Sequence, residues 1–202
     1  MATKDTFIGA KFIGSFLSHE DLPTDEGDEI AFCGRSNSGK SSAINALTKN
    51  KKLAKISKTP GRTQSINLFC LKNDENKRLI DLPGYGYAKV SKSKRQEWGL
   101  IIDEYLNLRK SLRGLVIIMD IRHPFKDSDQ MLMNWCQETQ TPFLILLNKA
   151  DKISRNKSHS ELEKTKKLMK GVTVHHEIIA FSSKDLLGLG NVNRCLEGFL
   201  SL

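Results

Sequence analysis

The stretch GRSNSGKSS, from Gly34 to Ser42, decides the fold of this chain. It follows the short apolar run IAFC, which ends at Cys33, and it precedes AINAL, which is typical of a helix. A strand, a glycine-rich turn and a helix in this order form a phosphate-binding loop. The glycines let backbone N–H groups turn toward phosphate oxygens, and the helix N-terminus adds a favourable dipole. The stretch therefore predicts binding of a nucleoside triphosphate.

The side chains of this loop suit a triphosphate and its metal ion. Lys40 would place a compact positive charge against the β- and γ-phosphates, and the Ser41 hydroxyl can take a Mg²⁺ coordination position. Asn37 is a candidate ligand for a monovalent cation such as K⁺, which would stand in for an arginine finger. Nucleotide contacts are therefore predicted at Gly34, Arg35, Ser36, Asn37, Ser38, Gly39, Lys40 and Ser41.

The composition sets bounds on the class of protein. The 202 residues, of which 39% are hydrophobic, are enough for one domain with a buried core. The formal net charge of +9 favours an anionic partner, nucleic acid ahead of a membrane surface, although an enzyme that is merely basic would have the same charge. The four scattered cysteines predict free thiols in a reducing cytosol. No apolar run approaches the length of a membrane span, and we expect a cytoplasmic protein.

Six apolar runs alternate with helical or polar segments. They are Ile30–Cys33, Ser65–Leu71, Arg78–Leu82, Leu115–Met119, Phe143–Leu147 and Ile178–Phe181. The last three are nearly unbroken, which is typical of parallel strands buried on both faces. The pattern predicts an α/β domain of three layers, in which helices flank a mostly parallel six-stranded sheet with ligand at the carboxyl ends of the strands. Residues 1–28 are predicted to be an N-terminal extension packed on the domain, and residues 29–202 the nucleotide-binding domain.

Helix positions are predicted from apolar spacing and capping patterns. From Trp98 to Tyr105 apolar side chains recur at helical spacing, and we expect these two aromatic residues in the core. Ser158 and Glu161 form a capping-box pattern that predicts the start of a later helix, which Gly171 would end.

The sequence DLPG closes the third predicted strand. Its carboxylate can hold Mg²⁺ through water, and the N–H of its glycine can meet the γ-phosphate. The predicted contacts are Asp81, Leu82, Pro83 and Gly84. The next residue, Tyr85, is not a glutamine that could orient the attacking water, and we therefore expect slow intrinsic hydrolysis. A threonine from the preceding lysine-rich loop, either Thr59 or Thr63, would complete the Mg²⁺ shell.

The sequence NKAD follows the fifth predicted strand and comprises Asn148, Lys149, Ala150 and Asp151. The Asp151 carboxylate can accept from guanine N1–H and from the exocyclic amine, a donor pair that adenine lacks. An isolated match would more often be a solvated turn, but after a buried strand it indicates a guanine site. The sequence FSS ends the last predicted strand, where backbone N–H groups of Phe181, Ser182 and Ser183 can approach guanine O6.

Five segments together resemble the EngB-type bacterial GTPases, a translation-associated branch of the P-loop GTPases. They are GRSNSGKSS, SKTPGRTQ, DLPGYGYAKVSK, MDIRHPFKDSD and LLNKADKIS, and the similarity spans about residues 7–200. Two positions depart from the family pattern, since Ser38 stands where valine is usual and Asn148 where threonine is frequent.

The resemblance implies Mg²⁺-dependent hydrolysis of GTP to GDP and a role in assembly of the large ribosomal subunit, linked to cell division and septation. It also implies nucleotide contacts at Gly61, Arg62, Thr63, Gln64 and Ser65. It selects Thr63 rather than Thr59 as the Mg²⁺ ligand beside Ser41, and it implies that Lys40, Thr63 and Gly84 act in catalysis. The expected partners are the large-subunit precursor and its rRNA, with no DNA, and we expect a monomer.

Two basic clusters favour an RNA-facing surface over a solvated charged face, which is the ordinary explanation of such runs. They comprise Lys49, Lys51, Lys52, Lys55, Lys58 and Arg62 in one loop, and Lys89, Lys92, Lys94 and Arg95 after DLPG. The alternative is a GTP-controlled scaffold at the division site without direct RNA contact. A P-loop kinase of a small molecule is a third hypothesis, which the NKAD sequence disfavours.

Overall fold

The computed structural model describes residues 6–55, 65–85 and 92–201. The strands are β1 (Lys11–Phe16), β2 (Asp28–Gly34), β3 (Ile66–Cys70), β4 (Lys77–Asp81), β5 (Leu112–Asp120), β6 (Phe143–Asn148) and β7 (His176–Ala180). The α-helices are α1 (Lys40–Leu47), α2 (Lys92–Leu108), α3 (Asp127–Glu138), α4 (Arg155–Leu168) and α5 (Leu189–Phe199). A short 3₁₀-helix, Ala150–Lys152, follows β6. Within the described residues the strands form one seven-stranded sheet in the order β1-β3-β4-β2-β5-β6-β7.

The sheet forms the middle of three layers. It is parallel from β4 through β2, β5 and β6 to β7, while β3 and β1 are added antiparallel at one edge. Successive residues of a strand face opposite sides, so the two apolar clusters that share β2 and β5 lie on opposite faces. One cluster includes residues of α1 and α5, and the other includes residues of α2 and α3. The predicted three-layer α/β domain is confirmed.

The six predicted strands are all present among the described residues, and the additional strand is β1. It comes from the N-terminal apolar patch, whose spacing did not distinguish a helix from a strand. β1 pairs antiparallel with β3, and the register shifts between Phe12 and Gly14. Phe12 and Ile13, which are neighbours in sequence, are both about half exposed. Because the register of this edge strand shifts, buried and exposed residues do not alternate regularly along it, and the sequence has no period-of-two pattern that would predict a strand.

The predicted capping box of α4 was wrong. The helix begins one turn earlier, where Ser154 is the N-cap and its hydroxyl accepts from the Lys157 N–H at 3.3 Å. Ser158 lies inside the helix, where it is buried. The helix ends at Leu168, three residues before Gly171. In α2, Tyr105 is fully buried, as its apolar spacing predicted.

All four cysteines are free thiols and buried, as their scatter predicted. Burial raises the pKa of Cys33 to about 12, so this thiol stays protonated at neutral pH. Among the residues that the structure describes, no helix is both long and apolar enough to cross a membrane.

A buried carboxylate organises the sheet end where β2 begins. Glu29 has no exposed surface and accepts hydrogen bonds from Arg109 Nη2 at 2.8 Å, Arg109 Nε at 3.0 Å and the Tyr105 hydroxyl at 2.9 Å. Arg78 approaches the same carboxylate at 3.3 Å. Burial, and then the nearby charge of Glu29, raise the pKa of Tyr105, so its hydroxyl remains a donor. The charge of Glu29 is thus both paired and hydrogen-bonded.

The same cluster fixes the acidic N-terminal stretch to the domain. Arg109 also donates to the carbonyl of Pro23 at 2.9 Å. The Asp25 carboxylate accepts the N–H groups of Lys110 and Ser111, each at 2.8 Å, immediately after α2. The stretch before β2 is therefore hydrogen-bonded directly to the residues that follow α2.

We predict that Arg109→Leu lowers the free energy of unfolding by about 3 kcal/mol, because it leaves the buried Glu29 charge without its main partner. Urea denaturation followed by circular dichroism measures this. The matched control is Arg113→Leu, since Arg113 pairs with Asp28 at 2.6 Å but has a half-exposed side chain. Its loss should cost at most about 1 kcal/mol. Equal destabilisation by the two substitutions would contradict the importance of the Glu29 cluster.

Candidate functional site

The predicted functional loops converge at the carboxyl edge of the parallel strands. β2 ends at Gly34 and β4 ends at Asp81. The two strands are parallel neighbours, and Phe32 of β2 pairs with Asp81 of β4. β5 and β6 end at the paired residues Asp120 and Asn148. The ends of four adjacent parallel strands therefore bring the loops together.

The Gly34–Ser41 loop needs its two glycines because other groups approach them closely. A Cβ on Gly34 would lie 2.6 Å from Ser38 Oγ and 2.8 Å from the Ile118 carbonyl oxygen. Gly39 has φ +95°, and a Cβ there would lie 2.3 Å from Asn148 Nδ2. Either contact is too short for a side chain, so the path of the loop depends on glycine at both positions.

Ser38 gives structural meaning to one departure from the family pattern. It is 3% exposed, and its hydroxyl has no hydrogen-bond partner within the described residues. The hydroxyl of this buried residue is thus unused among the described residues. Its backbone is used, since the Ser38 N–H donates to the Arg35 carbonyl at 2.9 Å and its own carbonyl accepts from Asn148.

The lysine of the loop and the carboxylate of DLPG meet directly. Lys40 Nζ donates to Asp81 Oδ1, and both side chains are less than a tenth exposed. Asn67 Nδ2 lies 3.4 Å from the other oxygen of Asp81. Ser41 is the next residue of α1. The predicted phosphate-binding lysine and the predicted metal-binding carboxylate are thus in direct contact at the carboxyl edge of the sheet.

The DLPG segment is joined to the loop by backbone hydrogen bonds. The Leu82 N–H donates to the Phe32 carbonyl at 3.1 Å, and the Tyr85 N–H donates to the Gly34 carbonyl at 3.3 Å. In return the Ser36 N–H donates to the Tyr85 carbonyl at 2.8 Å. Gly84 lies between these anchors, so its position is fixed relative to the loop.

The side chain of Tyr85 is hydrogen-bonded to the first turn of α3. Its hydroxyl donates to Asp129 Oδ1 at 2.9 Å, and Asp129 also accepts the Lys126 N–H at the start of α3. Burial raises the pKa of Tyr85 well above its ordinary value, and the Asp129 charge adds to the shift. The hydroxyl is therefore a permanent donor to α3. Asp129 belongs to the quoted segment MDIRHPFKDSD, but no role was predicted for it.

The NKAD and FSS segments lie side by side. Asn148 Nδ2 donates to the Ser38 carbonyl at 2.9 Å, which ties NKAD to the phosphate loop. The Ser182 hydroxyl donates to Asp151 Oδ1 at 3.1 Å, and the Ala150 N–H donates to the Phe181 carbonyl at 3.0 Å. Burial alone would raise the pKa of Asp151, but hydrogen bonds from Ser182 and Lys152 outweigh it and lower the pKa. The carboxylate is thus ionised and oriented.

Asp120 also belongs to the quoted segment MDIRHPFKDSD, but no role was predicted for its carboxylate. Lys149 Nζ donates to Asp120 Oδ2 at 2.9 Å and also to the Asn37 carbonyl. Asp120 is a carboxylate directly at the end of an apolar strand, as Asp81 is, and that position was the available signal.

Several predicted residues lie outside the described residues. They are Thr59, Gly61, Arg62, Thr63 and Gln64, together with the basic residues Lys58 and Lys89. Ser65 is described and directly precedes β3. Among the described residues, no group of three or more His, Cys, Asp or Glu side chains could hold a metal ion.

The comparisons with known proteins identify the family. A family model described as 50S ribosome-binding GTPase matches residues 29–149. The probable GTP-binding protein EngB of Alteromonas mediterranea is 49% identical to this chain, over 97% of it and 92% of the relative. The relative of the same name from Pseudoalteromonas atlantica is 51% identical, over 93% of this chain and 90% of its own. The chain belongs to the EngB family of GTP-binding proteins. The resemblance in the sequence is thereby confirmed, and the chain is a GTP-binding, GTP-hydrolysing enzyme.

Solved structures agree with this fold. A crystal structure of a probable GTP-binding protein engB aligns with a TM-score of 0.65 and 23% identity, covering 86% of this chain and 98% of that one. The structure of an Era variant from Aquifex aeolicus bound to GDP and AlF4⁻ aligns with a TM-score of 0.70 and 21% identity, covering 87% of this chain and 57% of that one. At these identities the likeness shows the fold alone.

Proposed function

We propose that this EngB-family GTPase is a nucleotide-controlled switch that assists assembly of the large ribosomal subunit and thereby supports normal cell division and septation. It would act as a cytoplasmic monomer, with RNA rather than DNA as its nucleic-acid partner. The observation that carries the nucleotide part is the convergence of four loops, in which Lys40 meets Asp81 while Asn148 donates to the Ser38 carbonyl.

The phosphates would lie over the N-terminus of α1. Backbone N–H groups of the Gly34–Ser41 loop would face their oxygens, and Lys40 would exchange its contact with Asp81 for the β- and γ-phosphates. Gly84, held through its neighbours Leu82 and Tyr85, would offer its N–H to the γ-phosphate. In this proposal Lys40, Thr63 and Gly84 act at the reacting phosphate.

Magnesium would be held by few protein groups. The Ser41 hydroxyl at the start of α1 and, through water, the Asp81 carboxylate at the end of β4 would be hard oxygen donors, and Thr63 would be the second direct ligand. This donor set fits Mg²⁺, which keeps several waters and binds substrate phosphates instead of an all-protein cage. When bound, the ion neutralises charge on the phosphates.

The base would be read by NKAD and FSS. Asp151 would accept from guanine N1–H and the exocyclic amine, and the Ser182 hydroxyl already orients its carboxylate at 3.1 Å. The low pKa of Asp151 keeps this acceptor charged down to acidic pH, which a guanine site requires.

We predict that Asp151→Asn shifts nucleotide preference from guanosine to xanthosine, because the amide can donate to the xanthine carbonyl that replaces the exocyclic amine. The preference for GDP over xanthosine diphosphate, measured by titration with fluorescent analogues, should fall by roughly 10⁴-fold. Lys152→Gln is the matched control, since it removes a neighbouring charge 3.3 Å from Asp151 but no predicted base contact. Unchanged specificity in Asp151→Asn would mean that the base site lies elsewhere.

A monovalent cation would assist hydrolysis next to Asn37, whose position in the phosphate loop motivates the proposal. We predict faster GTP hydrolysis in K⁺ than in Na⁺ buffer at equal ionic strength, and loss of this difference in Asn37→Ala. Phosphate release at saturating GTP measures it. Equal rates of the natural protein in the two buffers would contradict the proposal.

The ribosomal role is supported by charge and by family. The net charge of +9 suits an RNA phosphate backbone. Lys51, Lys52 and Lys55 are exposed just after α1, the helix that begins with Lys40. The matching family model is itself described as 50S ribosome-binding. The alternative, a division-site scaffold, would need no salt-sensitive contact with RNA.

We predict that the protein co-sediments with isolated large ribosomal subunits when a non-hydrolysable GTP analogue is bound, more weakly with GDP, and that binding weakens with salt. Changing Lys51, Lys52 and Lys55 together to Gln should reduce the slope of log affinity against log salt by roughly 0.7 to 0.9 for each phosphate that the protein then fails to neutralise. Gln at Lys164, Lys167 and Lys170, which are exposed in or just after α4, is the matched control of equal charge change. Absence of binding in every nucleotide state, with GTP affinity intact, would favour the scaffold.

A further inference from the structure

One ammonium group joins two separate loops at the proposed nucleotide site. Lys149 Nζ donates to the Asn37 carbonyl of the phosphate loop and, at 2.9 Å, to Asp120 Oδ2 at the end of β5. The Lys149 side chain is 26% exposed and that of Asp120 17%, so water weakens this pair only in part. Asp120, Lys149 and Asn37 therefore form a continuous chain from β5 to the phosphate loop.

Both loops have unusual backbones where this chain meets them. Asn37 has φ 66° and Lys149 has φ 67°, the left-handed region that L-residues other than glycine seldom adopt. Such a conformation costs free energy and persists only when the surrounding contacts hold it. The Lys149 ammonium provides such a contact, because it binds the carbonyl that the left-handed Asn37 presents.

We propose that Asp120 is a positioning residue for guanine nucleotides: it holds the Lys149 ammonium against the Asn37 carbonyl and so fixes the phosphate loop relative to the NKAD segment. This inference rests on the proposed assignment of the nucleotide site. Asp120 itself would touch neither the base nor the phosphates. Its loss would weaken GTP and GDP binding alike, because both nucleotides use the same loop and the same base site.

A second role of Asp120 must be separated from this one. Its carboxylate also accepts the Arg122 N–H at 3.1 Å, Arg122 Nε at 2.9 Å and Arg122 Nη2 at 2.7 Å. These bonds order the turn between β5 and α3 without involving Lys149. The Arg122 side chain is 41% exposed, and an exposed pair contributes little. The pair with Lys149 is the one that reaches the nucleotide site.

The test measures GDP and GTP affinity by titration calorimetry in Asp120→Asn, Lys149→Met and the double variant. We expect Asp120→Asn to weaken both nucleotides by roughly tenfold, the factor for one hydrogen bond to a charged group. In the Lys149→Met background the same change should have an effect below about twofold, because coupled residues are not additive. Arg122→Gln, which removes only the other partner, should leave affinity within about twofold.

Each outcome decides between roles. Wild-type affinity in Asp120→Asn would overturn the proposal, and so would a tenfold loss that persists in the Lys149→Met background, since Asp120 would then act through the turn. Asp120→Asn should keep the guanine preference, whereas failure of Asp151→Asn to change base preference would refute the site assignment itself. If Asp120→Asn is unfolded by thermal denaturation, Asp120→Ser in the same cycle gives the same decision.

Discussion

The site depends on the close approach of Gly39 to Asn148. A Cβ at Gly39 would lie 2.3 Å from Asn148 Nδ2, and the same amide nitrogen donates to the Ser38 carbonyl at 2.9 Å. The phosphate loop can therefore enter the space beside the end of β6 only with glycine at this position. With the loop in this place, Lys40 at the start of α1 reaches Asp81. On the other side of Gly39, the Asn37 carbonyl accepts a hydrogen bond from Lys149.

Strand β2 connects this site to the stabilising cluster at the other end of the sheet. It begins beside Glu29, whose buried charge binds Arg109 and Tyr105 of the α2 region, and it ends at Gly34. At about 3.3 Å per residue the two ends are roughly 20 Å apart. Burying a carboxylate is costly, and here that cost is confined to the end remote from the loops. The left-handed residues Asn37 and Lys149 lie at the opposite end of the sheet, at the binding edge.

Features with local signals were predictable from the sequence. Apolar runs gave six strands, and a polar motif after a buried parallel strand must lie at the carboxyl edge, so the neighbourhood of the phosphate loop, DLPG, NKAD and FSS followed. Features that depend on distant partners were not predictable. Glu29 and Arg109 are 80 positions apart, and Tyr85 and Asp129 are 44 apart. In the sequence, a single carboxylate whose partner is this far away cannot be distinguished from an ordinary surface residue. The start of α4 shows a further limit, since Ser158 was the predicted cap and the structure has Ser154 in that position instead.

The orientation of Tyr85 bears on how hydrolysis is controlled. A residue at the position after DLPG can act on the attacking water only if its side chain is directed at the γ-phosphate. Here the Tyr85 hydroxyl is a donor to Asp129, while its backbone remains bonded to Gly34 and Ser36. The backbone of this residue thus positions Gly84 beside the loop, and its side chain ties that position to α3. In this arrangement the Tyr85 hydroxyl is engaged with Asp129 and is not offered to the attacking water.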